Sequence, residues 1–198
     1  MTRITLPLAA LAAVVLAATP ALAHPFHAGS VGFWAGLCHP FGGLDHLLAM
    51  IAVGLWAVQL GGRALWAVPA SFVLAMLAGA GIAFAGIAMP ADEFGIAGSV
   101  ILLGLLIAGA ARVPTLAGCG VVTVFALFHG QAHGLAMPAT ASPLLYGLGF
   151  VLATAALHGA GLGLGLAGGR IGAALGHRSL RAAGAAVAGA GAVILAGA

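Results

Sequence analysis

Hydrophobic residues in this chain run on in long continuous stretches rich in Ala, Leu and Gly, and polar residues collect in the short gaps between them. A transmembrane β-barrel would alternate apolar and polar positions in segments of about ten residues, so these runs predict helices. Reading them between breakers gives six candidate helices, near residues 31–60, 64–88, 95–111, 115–134, 143–167 and 182–197. The first is too long for one straight crossing at 1.5 Å per residue. His39-Pro40-Phe41-Gly42-Gly43 supplies a break, so the spanning part is expected to start near Pro40 to Leu44. Val31 to Cys38 is expected at the outer surface or folded partly back into it.

Ahead of these runs, residues 1–23 read as a secretory signal. Arg3 gives a positive start, Leu6 to Ala18 an apolar stretch, and Ala21-Leu22-Ala23 a small-x-small cleavage site. The mature chain, a single transmembrane domain over 24–198, would begin at His24. An uncleaved first helix is the alternative, although Pro7 and Pro20 bracket a run too short to span well. Cleavage puts the new amino terminus outside the cytoplasm. Arg63, Arg112, Arg170, Arg178 and Arg181 then fall in cytoplasmic connections, and Asp92 and Glu93 fall outside, as the positive-inside rule requires. Trp56 and Trp66 flank the Arg63 turn, and Trp34 and Tyr146 lie near the outer boundary, positions suited to aromatic belts.

Composition closes the fold class. Charged residues make up 5% of the chain, against roughly a quarter in soluble domains, and mean hydropathy is +1.22. The expected fold is therefore all-α, a polytopic integral membrane bundle of about six helices in a bacterial-type inner membrane, with the lipid bilayer as its solvent. A pI near 9.7 comes from scattered single Arg residues that make no basic patch, so nucleic acid is set aside as a partner. Cys38 and Cys119 cannot form a framework of bridges. Gly161, Gly165 and Gly169 repeat at four, as do Gly130 and Gly134, a spacing that lets helix backbones approach closely in lipid. A homo-oligomer is left open.

Against this background the eight His and one intramembrane acid stand out. An Asp at a helix centre costs roughly 2.5 to 3.5 kcal/mol on insertion scales, so such residues mark ion or proton paths. On the topology above, His24, His27, His39, Asp45, His46, His129 and His133 lie outside or in the outer part of the membrane, His158 lies deeper, and His177 is cytoplasmic. On a continuous helix His39, His46 and Met50 share a face, but two turns separate the first pair by about 10 Å, too far for one ion. A break at the Pro and the Gly pair can fold His39 back toward Asp45 and His46. The plainer reading makes His39 a cap, Pro40 a helix start and Asp45 a dipole partner. In the second group, Phe128-His129-Gly130-Gln131-Ala132-His133-Gly134, two His four apart lie one above the other, the spacing at which both reach one metal ion. His158 reads as an inner relay or as a single His bonded across a helix interface. Met50, Met137 and Cys38 are soft ligands or, more simply, packing residues.

Nitrogen-rich ligation with one carboxylate suits nickel, cobalt, zinc or copper and argues against magnesium or calcium. A mature terminus of His24-Pro25-Phe26-His27 would add a free amine and two imidazoles that could capture ions for handover. At these residues the chain resembles the HupE/UreJ nickel and cobalt permeases. The likeness is carried by the signal peptide, His39-Pro40-Phe41-Gly42-Gly43-Leu44-Asp45-His46-Leu47-Leu48-Ala49-Met50, Gly54-Leu55-Trp56-Ala57, the Phe128 to Gly134 motif and Leu157-His158. The first motif is also similar to the H-x-x-x-x-D-H signature of larger nickel/cobalt transporters, with one extra residue between His39 and Asp45. The resemblance implies uptake of Ni²⁺ or Co²⁺ for hydrogenase or urease maturation, with His39, Asp45 and His46 in the metal path. No permanently bound cofactor is implied, the ion being cargo. Many members carry Glu shortly after the second motif, where this chain has Leu135-Ala136-Met137.

Two other classes compete with this reading. A redox membrane protein would use His as axial ligands to b-type haem, which leaves Asp45 without a role and needs His pairs on facing helices at matched depth. An intramembrane hydrolase finds neither H-E-x-x-H nor a Ser nucleophile motif. A non-enzymatic permease is the expectation.

Overall fold

The computed structural model describes residues 32–90, 92–170 and 173–197. Every regular element among them is helical, as lipid demands, because there a segment must satisfy its own backbone N–H and C=O groups. A short helix α1 (Phe33–Cys38) runs into a 3-10 turn (His39–Phe41). There follow α2 (Leu44–Leu60), α3 (Ala64–Phe84), α4 (Asp92–Ala108), α5 (Thr115–Leu135), α6 (Pro143–Arg170) and α7 (Ala173–Gly197). The expected signal segment, with Arg3, His24 and His27, lies outside the described residues.

The break in the first run is real: Phe33–Phe41 and Leu44–Leu60 meet at 83°. α3, α5, α6 and α7 are long and apolar enough to cross a membrane, and the bent pair makes a fifth candidate. Within α4 the apolar stretch Glu93–Ala108 is shorter; its end lies against the last turn of α2, where Gln59 reaches the Ile107 carbonyl, so α4 stands in the bundle as a sixth, shorter helix. α7 begins at Ala173, not near residue 182. Arg178 and Arg181 interrupt the hydropathy but not the helix, since Arg, Ala and Leu are all good helix formers.

α2 is the centre of the bundle, buried without a break from Leu47 to Ala57, and a helix that is apolar all round belongs in such a place. α3 packs on α5, α4 on α7, and α6 on both α1 and α2. Glycines set these approaches. A Cβ on Gly130 would strike the Met76 carbonyl, and one on Gly161 the Ile51 carbonyl. Gly169 meets nothing within 4 Å, so that stripe ends at Gly165. Leu74, Leu105, Leu116, Leu144 and Val193 point outward and are more than half exposed, the surface of a multi-pass membrane protein facing lipid. Trp34 and Trp66 are exposed as belt residues should be, whereas Trp56 and Tyr146 are buried. Trp56 instead donates its indole N–H to the Ala111 carbonyl at 3.3 Å.

Candidate metal centre

The site begins at the break. Gly42 closes the 3-10 turn by donating its N–H to the His39 carbonyl at 3.0 Å, and Gly43 is extended immediately before α2. Asp45 and His46, in the first turn of α2, lie back over Gly43. A Cβ there would stand 2.5 Å from Asp45 Oδ1 and 3.1 Å from His46 Nδ1, so a side chain at 43 would push on the Asp45–His46 pair.

Asp45 Oδ1 accepts the His46 backbone N–H at 2.8 Å and the His46 ring at 2.7 Å. An ionised carboxylate only accepts, so the ring proton sits on Nδ1 and the lone pair on Nε2. That Nε2 is buried and has no hydrogen-bond partner.

α5 brings the second pair. Its Gly130 and Gly134 press against Met76, Ala80 and Ala83 of α3, and His129 and His133, one turn apart, are buried in the bundle. His129 is oriented by a residue the sequence reading missed. Ser99, in α4, donates its hydroxyl to the Ile96 carbonyl at 2.6 Å and lies 2.9 Å from His129 Nε2. With its own proton committed, the Ser99 oxygen accepts from Nε2–H, which leaves the lone pair on His129 Nδ1. Nδ1 is again buried without a partner, as are both ring nitrogens of His133.

Ligand atoms of His46, His129 and His133 all lie within 4.8 Å of one another. Metal–nitrogen bonds of about 2.1 Å hold two ligand nitrogens no more than ~4.2 Å apart, so small ring rotations would close the set on one ion. Ring centroids are 4.3 Å apart for His46 and His133, 4.8 Å for His46 and His129, and 4.7 Å for His39 and His133. The break therefore carries His39 against His133 of α5. Asp45 stands behind His46 as its hydrogen-bond partner and is not one of the converging three. Beside His133 a cavity of about 160 Å³ opens between α3, α5 and α6, lined by Met76, Tyr146 and Phe150 among others.

Other predicted residues fall elsewhere. Met50 is fully buried in the apolar core, Cys38 is exposed, and His158 lies against Phe72 at 5.2 Å between centroids. The close ring packing gives haem no support, since a macrocycle needs axial imidazoles on its two faces and these rings touch each other.

Residues 12–194 match the HupE / UreJ protein family. The chain is also 48% identical to Protein HupE of Rhizobium leguminosarum bv. viciae over 197 residues, 98% of each chain. It belongs to the HupE/UreJ family. No solved structure matches it at a significant level. The part shared with the HupE/UreJ family takes in the break, both histidine motifs and Ser99, so the centre lies wholly inside the family's common region.

Proposed function

We propose that this HupE/UreJ protein is a permease, not an enzyme, that takes up a divalent transition-metal ion, Ni²⁺ or Co²⁺, through His46, His129 and His133. The convergence of three imidazoles, each with a buried ring nitrogen that has no hydrogen-bond partner, supports this reading most strongly. A buried polar atom without a partner is destabilising, and a cation that takes its lone pair removes that penalty. Neutral nitrogen ligands favour late first-row ions over magnesium or calcium. Asp45 acts from behind: by holding the Nδ1 proton it orients the His46 ring and raises the basicity of Nε2. His39, packed on His133, is the neighbouring imidazole through which an ion reaches the three, and His24 and His27 are the proposed capture pair before it.

Orientation follows from charge. With Arg63, Arg112 and the Arg residues around the α6–α7 connection cytoplasmic, the centre opens to the outside of an inner membrane. Delivery to hydrogenase or urease maturation is the proposed use. The test is uptake of radiolabelled nickel and cobalt by cells carrying the intact protein or Asp45→Asn. Loss of a hydrogen-bond partner behind a ligand lowers metal affinity about 10–100-fold, and uptake at low metal should fall accordingly. Near-normal uptake in that variant would remove Asp45 from the mechanism.

A further inference from the structure

We infer that His158 is a second, inner station for the transported cation, reached past the thioether of Met76. This rests on the proposed permease function and extends its path inward. His133 packs on Phe150 of α6, with centroids 3.9 Å apart, and His158 lies eight residues further along the same helix, about 12 Å deeper at 1.5 Å per residue. His158 is not among the three imidazoles whose ligand atoms converge, so it belongs to a separate site.

The two levels are nonetheless connected. Phe72 of α3 touches His129 at 5.6 Å on one side and His158 at 5.2 Å on the other. One turn outward on each helix, the Thr154 hydroxyl of α6 donates to Met76 Sδ of α3 at 3.7 Å. Met76 also lines the cavity that reaches His133. Gly130, next to His129, packs on the Met76 carbonyl, so Met76 stands at the level of the imidazoles and His158 one turn inward of it.

A packing role does not account for His158. It is 2% exposed, and neither ring nitrogen has a hydrogen-bond partner, although a neutral imidazole always carries one donor and one acceptor. Its place on α6 is fixed by close backbone contact with α2, where a Cβ on Gly54 would strike the His158 carbonyl. One neutral nitrogen with a nearby soft sulfur binds a late transition ion weakly, which suits a transit station: conduction needs sites that hold an ion and also let it go.

The full chain in proteoliposomes, with Co²⁺ as the probe, tests this through two readouts, equilibrium binding and rate of cobalt movement into the vesicles. His158→Leu should bind cobalt at the outer three imidazoles as the wild type does and move it at least about tenfold more slowly, while His158→Met, of similar size but with a ligand sulfur, should recover most of the rate. Wild-type movement in His158→Leu overturns the inference, and so do Leu and Met variants that are equally slow, since that is the signature of packing. Stoichiometry gives a second check: at saturating cobalt the unaltered protein should bind one ion more than His158→Leu, and equal stoichiometry overturns the inner station. Failure of the wild type to bind cobalt at all would instead overturn the permease reading.

Discussion

The two ends of α2 use polar side chains in opposite ways. At its last turns, the Gln59 amide donates to the Ile107 carbonyl at 2.9 Å and Trp56 to the Ala111 carbonyl at 3.3 Å, while Arg181 of α7 donates to the Ala108 carbonyl at 2.7 Å. These acceptors lie at and just past the end of α4, where a helix leaves its last carbonyls without partners and its dipole is negative. Around the first turn of α2, by contrast, Asp45 and Ser99 each occupy one nitrogen of a histidine and leave the other buried without a partner. Polar groups at membrane depth are structural where they end on backbone carbonyls. They are functional where a hydrogen bond on one side prepares a lone pair on the other.

The sharpest way to break this contrast is His133→Leu. Both nitrogens of His133 are unpartnered, and each such buried group costs about 1–3 kcal/mol, so the substitution should leave thermal stability level or raised. Uptake of nickel and cobalt should be lost, at least about a hundredfold, because His133 supplies one of the three converging ligands. Uptake close to wild type would end the proposal, and a large drop in melting temperature would show that His133 is a structural residue like Gln59.

Acid should produce the next largest effect. A cation and a proton compete for the same imidazole lone pair, so binding is complete where the rings are neutral and weakens as pH falls. Cobalt binding followed by titration should weaken at least about tenfold between pH 7 and about pH 4. A flat profile down to about pH 4 would show that the histidines are not the ligands.

Ser99 comes third. Ser99→Ala removes the acceptor that holds the His129 proton on Nε2, and affinity should drop about tenfold. Ser99→Thr keeps the hydroxyl and should keep the affinity. Equal losses in both variants would point to crowding in α4 and away from control of the His129 tautomer.

What was legible in the sequence divides along the same physical lines. His39, His46, His129 and His133 stood out because an imidazole in an apolar run has no local reason to be there, and Pro40 with Gly42 and Gly43 marked the break because neither residue type continues a helix easily. Ser99 was not visible: a serine inside a helix usually bonds its own backbone, as this one does at Ile96, and its second partner is 30 residues away. The role of Asp45 was half visible, since its charge could be read but not which side of His46 it would take. Trp56 read as a belt residue because it is near a turn, yet the turn lies over α4 and the indole is buried against it. The start of α7 was misplaced because Arg marks the edge of a hydrophobic run without ending a helix.

The smallest expected effect on transport comes from the opposite end of α2. Gln59→Leu deletes the donor to Ile107 and also removes the Gln59 Oε1 atom, which is itself buried without a partner. Those two changes oppose each other, so the net loss should be near 1 kcal/mol or less, the size of one ordinary hydrogen bond. Thermal unfolding of the purified protein measures that loss, and uptake per folded molecule should stay within about twofold of wild type, because nothing at this end leaves a lone pair for a cation. If Gln59→Leu instead slows uptake as strongly as Ser99→Ala while stability holds, the carbonyls of Ile107 and Ala108 belong to the exit of the ion path. The division between a structural end and a functional end of α2 would then fail.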